Sequence, residues 1–157
     1  MDLSVVVVTY HSRQHILDCL RSLERARGAL AMDVFVVDNA SGDGTVDLVR
    51  REAPEARVVE TGGNLGYAKA VNRGIRESSG EFVLVLNPDC VVAPGAPEAL
   101  VAHLRAHPGC AIAGPRILNT DGSVEYSARS FPDHLTFLFN RYSLLTGVKA
   151  NELQLDF

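Results

Sequence analysis

The sequence predicts an α/β fold: a mostly parallel sheet with helices on both faces, followed by a hairpin and an apolar helix. Short β-branched runs alternate with helix-like stretches four times between Leu3 and Ala106. That alternation is the pattern of parallel strands joined by right-handed crossovers. The fourth run, Phe82–Leu86 (FVLVL), is apolar throughout, as expected of a central strand covered on both faces. Each run ends in polar residues or glycine, so the loops gather at the carboxyl edge of the sheet, where α/β folds bind ligands.

Leu3–Thr9 (LSVVVVT) is the first strand. Ser12 is placed to cap a helix over His15–Arg27, in which Ile16, Leu17, Leu20 and Leu23 share a face and Gly28 ends the run. Asp33–Asp38 is the second strand, and Asn39–Gly44 (NASGDG) is a loop of turn-forming residues. A helix over Thr45–Glu52 stops before Pro54. Ala56–Glu60 is the third strand, Thr61–Gly66 (TGGNLG) a glycine loop, and Tyr67–Ser79 the third helix, ended by Gly80. After the fourth strand, Pro88 stops ladder pairing and Pro94–Ala106 forms another helix. Asn119–Gly122 (NTDG) is a turn inside a hairpin over Ile117–Tyr126. His134–Thr146 is a strongly apolar helix, and Asn151–Phe157 is expected to fray. The expected organisation is a domain over 1–132 and a packing or self-association element over 133–157. Leu135, Phe137, Leu138, Phe139, Tyr142, Leu144 and Leu145 make that last helix too apolar to stay bare. Self-association is its expected role, with peripheral membrane contact as the alternative.

At 157 residues the chain is long enough for one domain with a real core. A net charge of −4 argues against a nucleic-acid surface. No run of about 18 apolar residues exists to span a membrane, and no leader pattern precedes the first strand. Cys19, Cys90 and Cys110 are odd in number and form no CxxC, which points to a reducing compartment and no metal–thiolate site. For Cys90 the favoured reading is a small buried residue. The expected location is cytoplasmic, with the inner face of the membrane left open.

The strand ends carry the chemistry. The first supplies Thr9, Tyr10, His11 and Ser12; the second Asp38, Asn39 and Ser41; the third leads to Gly63, Asn64 and Gly66; the fourth supplies Asn87 and Asp89. Asp38 suits a base N–H or a ribose hydroxyl, with a turn cap as the competing reading. The glycine loop opens a helix N-terminus, an arrangement that favours phosphate, against a plain turn. Lys69 and Asn72 follow in the helix, and a solvated lysine is the simpler reading of Lys69. Asp89 suits a hard divalent cation carrying a phosphate. GxxxxGK[ST], GxGxxG and GxSxG are all absent, and no zinc spacing occurs, so P-loop, dinucleotide, serine-hydrolase and zinc readings fail.

With these residues in view, the chain resembles the inverting family-2 glycosyltransferases, in their rhamnosyltransferase-like bacterial branch. VVVVTYHS at 5–12, VVDNASGDGT at 36–45, GGNLGYAKAVNRGI at 62–75, GEFVLVLNPDC at 80–90 and GPRILNTDGSVEYSARSFP at 114–132 carry the resemblance. It implies a GT-A (Rossmann-like) fold and a dTDP-, UDP- or GDP-sugar donor. It also implies transfer to a saccharide or lipid-linked acceptor in cell-envelope polysaccharide synthesis. In that resemblance Thr9, Tyr10, His11 and Asp38 hold base and ribose, and Asn87-Pro88-Asp89 stands where the family has DxD. Asp89 then binds Mg²⁺ or Mn²⁺, while Asn87 brings no charge. His11 stands where asparagine is more usual. The family's general base lies in a later, acceptor-binding part. Glu125, Asp133, Glu152 and Asp156 sit in no recognisable motif, so the catalytic base is unassigned. Two alternatives stay open. One is a non-catalytic nucleotide-sugar-binding fragment or partner subunit. The other is a nucleotidyltransferase, disfavoured because no glycine- and lysine-rich loop follows the first strand.

Overall fold

The computed structural model describes residues 1–125, and the chain divides into two units, Met1–Ala113 and a second beginning at Gly114. In the first unit, four parallel strands stand in the order β3-β2-β1-β4. They are β1 (Leu3–Thr9), β2 (Met32–Asp38), β3 (Arg57–Glu60) and β4 (Phe82–Leu86). The helices between and after them are α1 (Ile16–Ala26), α2 (Thr45–Glu52), α3 (Tyr67–Glu77) and α4 (Ala96–Ala106). The expected alternation of strand and helix is present throughout this unit. The second unit contributes the expected hairpin, β5 (Ile117–Leu118) paired antiparallel with β6 (Val124–Glu125) across the Asn119–Gly122 turn. The expected apolar helix over 134–146 and the tail over 151–157 lie outside the described residues.

Period-two alternation sorts the strand residues between the two faces of the sheet. Leu3, Val5 and Val7 of β1 and Val36 of β2 meet Ile16, Leu20 and Leu23 of α1, Val49 of α2 and Val101 of α4. On the opposite face, Val6, Val8 and Val37 meet Ala70 of α3. The two central strands, β1 and β2, are therefore covered on both sides.

The expectation of a central, doubly covered β4 needs correcting. Among the described residues β4 pairs only with β1 and stands at the edge of the sheet. Phe82, Leu84 and Leu86 pack on the core, but Val83 and Val85 are 38% and 40% exposed. The reason is the placement of α3, which packs over β1 and β2 and leaves the second face of β4 without a helix. Two helix starts also shift. Ser12 does not cap α1 with its side chain, because its hydroxyl lies against the backbone of Tyr10. It accepts the amides of His15 and Ile16 through its carbonyl instead. Helix α4 begins at Ala96, since Gly95 just before it takes a left-handed conformation (φ 81°).

Gly74 sets how closely α3 approaches the sheet. A Cβ there would stand 2.5 Å from Val6 Cγ1 and 2.9 Å from Val37 Cγ2, both buried. Alanine is the better helix former by about 1 kcal/mol, yet overpacking a close-packed contact costs about 1–3 kcal/mol. Gly74→Ala is therefore expected to lose about 1 kcal/mol net in urea denaturation. A stabilised variant would contradict the close packing.

Candidate functional site

Parallel register brings the strand ends to one edge. Thr9 is level with Asp38, Asp38 with Glu60, and Leu86 pairs with Val7. Beyond this edge lies an open cleft of about 410 Å³. Tyr10, Asn39, Asn64, Gly66, Tyr67 and Asn87 line it, together with Val8, Ser12 and Pro88. The volume is within the range of small-molecule sites.

Behind the cleft the carboxylate of Asp38 ties β1 to β2. Asp38 is 5% exposed. Its Oδ1 accepts the Thr9 hydroxyl at 3.0 Å and the Ser41 hydroxyl, and its Oδ2 accepts the Ser41 amide at 3.1 Å. The Ser41 hydroxyl oxygen in turn accepts the amide of His11 at 3.1 Å. Both loops bend sharply here: His11 (φ 55°) and Ala40 (φ 65°) adopt the left-handed conformation without being glycine, a strain that the network must hold in place. A carboxylate has about four acceptor positions, and three are used inside the protein. Asp38 is thus the clamp of the two loops, with little capacity left for a ligand.

Asparagines shape the glycine loop in a similar way. Asn39 Oδ1 accepts the Leu65 amide at 2.8 Å, and Asn39 Nδ2 donates to Asn64 Oδ1 at 2.9 Å. Asn64 Oδ1 also accepts the Gly66 amide at 2.9 Å. Gly66 precedes α3 with φ 80° and ψ 159°, a conformation open in practice to glycine alone. The loop thus delivers the N-terminus of α3 to the cleft, where first-turn amides lack intrahelical partners and favour an anion. Asp43 does related work in the neighbouring loop. Burial pushes its carboxyl up, but hydrogen bonds from the Thr45 hydroxyl, the Thr45 amide and the Arg13 amide outweigh this and hold it below the usual range.

Six of the fourteen residues singled out from the sequence line the cleft: Tyr10, Ser12, Asn39, Asn64, Gly66 and Asn87. Thr9, Asp38 and Ser41 are buried behind it. His11, Gly63, Lys69, Asn72 and Asp89 are not among the lining residues. Lys69 and Asn72 fall on the exposed side of α3, because Ala70 and Gly74 are its buried residues. Sequence reasoning missed Tyr67, which is 51% exposed and donates its hydroxyl to Asn87 Oδ1 at 3.2 Å. An aromatic residue directly after the glycine loop was the available signal.

Asp89 is exposed and makes no hydrogen bond among the described residues. Its charge is felt below it. Burial first, and then the neighbouring Cys90 and Asp89, push the Cys19 thiol up to about 12. Cys90 is raised by burial and then by Asp89. Both thiols stay protonated at neutral pH and are poor nucleophiles and ligands. Among the described residues no three His, Cys, Asp or Glu gather into a cage for a metal. The donor set still fits Mg²⁺ or Mn²⁺ held mainly through a substrate, because such ions are commonly bound by one or two carboxylates plus phosphate oxygens.

The fold has clear counterparts among solved structures. It is similar to TarS 1-349 of S. aureus in complex with UDP-GlcNAc (TM-score 0.60, 29% identity, 68% of this chain and 32% of that one). It is also similar to the mannosyltransferase PcManGT from Pyrobaculum calidifontis in complex with GDP-Man and Mn²⁺ (TM-score 0.57, 30% identity, 62% of this chain and 30% of that one). Fold and cleft together define a GT-A-type glycosyltransferase domain. The chain belongs to glycosyl transferase family 2, whose model matches residues 4–154. Among curated proteins it is 38% identical over 141 residues to the N-acetylglucosaminyl-diphospho-decaprenol L-rhamnosyltransferase of Mycobacterium tuberculosis, covering 83% of this chain and 46% of that protein. The chain spans less than half the length of the curated relatives it matches, 46% and 47% of two of them and 29% or less of others.

Proposed function

We propose that the cleft binds a nucleoside-diphosphate sugar and that the chain is the donor-binding part of an inverting hexosyltransferase acting on a saccharide or lipid-linked acceptor. The observation that carries this reading is the meeting, at one sheet edge, of the α3 N-terminus, the Asn87-Pro88-Asp89 corner and an exposed aromatic ring. Tyr10, 51% exposed at the cleft, offers a flat apolar face to a base. The amides at the start of α3 receive the diphosphate. Asp89, next to the lining residue Pro88, would hold Mg²⁺ or Mn²⁺ beside the cleft. When bound, the cation neutralises charge gathering on the leaving diphosphate. The relatives support the donor class, since their names and titles carry UDP-GlcNAc, GDP-Man with Mn²⁺, and rhamnosyl transfer. Rhamnose as the sugar rests on that last likeness. No described helix is long and apolar enough to cross a membrane.

Among the described residues the lining holds no carboxylate or imidazole. In this reading the cleft binds and orients the donor, and the base that activates the acceptor hydroxyl stays unassigned. Calorimetric titration with dTDP-, UDP- and GDP-sugars in Mn²⁺ tests the reading. Binding of one of the three is expected, and a folded protein that binds none of them would overturn it.

A further inference from the structure

The hydroxyl of Tyr67 is engaged inside the protein at the very rim of the cleft. Tyr67 opens α3 and Asn87 follows β4, so the Tyr67–Asn87 hydrogen bond joins the glycine loop to the acidic corner across 20 positions of sequence. A side-chain amide has one oxygen that accepts and one NH₂ that donates. With Oδ1 turned to Tyr67, the end of the Asn87 amide that has no partner among the described residues is Nδ2. Hard cations take oxygen ligands, and an NH₂ group offers none. It does suit a phosphate or ribose oxygen, to which it can donate.

We propose that Tyr67 is a positioning residue that fixes the Asn87 amide as a hydrogen-bond donor to the diphosphate of a bound nucleotide. The inference rests on the donor-site reading above and deepens it. The Asn87-Pro88-Asp89 corner then grips an anion in two ways, through an amide donor and through a cation-binding carboxylate. Neither residue substitutes for the other. Without the Tyr67 hydroxyl the amide is no longer held in place, and ordering it on the ligand then costs affinity.

A double-mutant cycle tests this. Affinities for UDP, GDP and dTDP in Mn²⁺ are measured by calorimetry for the wild type, Tyr67→Phe, Asn87→Ala and the double variant. Thermal melts serve as the folding control, since Tyr67→Phe keeps the ring. In the wild-type background Tyr67→Phe is expected to weaken the preferred diphosphate by about fivefold to tenfold, the size of one net hydrogen bond between neutral groups. In the Asn87→Ala background the same change is expected to cost nothing, since there is no amide left to orient. An equal loss in both backgrounds means that Tyr67 acts on the ligand or the helix by itself, and overturns the inference. A wild type that binds while Tyr67→Phe binds equally well also overturns it, leaving the donor-site reading intact. A wild type that binds no diphosphate overturns both.

Discussion

Replacing Asp38 by alanine is expected to destabilise the chain by about 3 kcal/mol and to abolish nucleotide binding, the first through a lost clamp. Three donors, the Thr9 and Ser41 hydroxyls and the Ser41 amide, would lose a buried acceptor. A buried polar group left unpaired costs about 1–3 kcal/mol, and the loops that it steadies hold two non-glycine residues in left-handed backbone. Asn39 and Tyr10, which line the cleft, flank this network in sequence. Binding therefore fails because the loops relax, whether or not the carboxylate also touches a ligand. Asp38→Asn refines the test. Its shape is retained, but its NH₂ must face one of the present donors, so an intermediate loss of about 2 kcal/mol is expected in urea unfolding. If Asp38→Ala unfolds at the wild-type urea concentration and loses only nucleoside affinity, the clamp is wrong and Asp38 is a direct ligand.

Asp89→Ala is expected to do the reverse. The side chain is exposed and engages no hydrogen bond among the described residues, so stability should stay within about 0.5 kcal/mol of wild type. The effect falls on binding, where the part of donor affinity that depends on Mn²⁺ should vanish, a loss of about tenfold or more, or about 1.4 kcal/mol. Affinity measured in chelator should be the same for variant and wild type. Together the two variants separate a residue that builds the site from one that acts in it.

The division of labour between these two aspartates was only half legible in the sequence. Strands were readable because β-branched runs such as Val5–Val8 have few other uses, and the helices followed from the spacing of residues such as Ile16, Leu20 and Leu23. The convergence of strand ends followed from parallel pairing. Burial of β4 was not legible. FVLVL says that the strand tolerates cover on both faces, but cover depends on where α3 lies, and Gly74 seats α3 on Val6 and Val37. The roles of Asp38 and Asn39 were hidden for a related reason. Their partners, Thr9 for one and Leu65 for the other, are 29 and 26 positions away and are brought in by register and loop path. Lys69 and Asn72 were drawn into the expected site by proximity to the glycine loop, whereas neither lines the described cleft. Tyr67 escaped notice because its chemistry lies in a partner 20 positions further on.

The most direct test of the central claim is a calorimetric titration of the folded chain with dTDP-, UDP- and GDP-sugars, with Mn²⁺ and with chelator, alongside Asp89→Ala. The account predicts saturable binding of at least one donor by the wild type, strengthened about tenfold or more by Mn²⁺, with no Mn²⁺ effect in Asp89→Ala. Donor binding that Mn²⁺ strengthens equally in wild type and variant would contradict the metal assignment, and no binding of any donor would contradict the site itself.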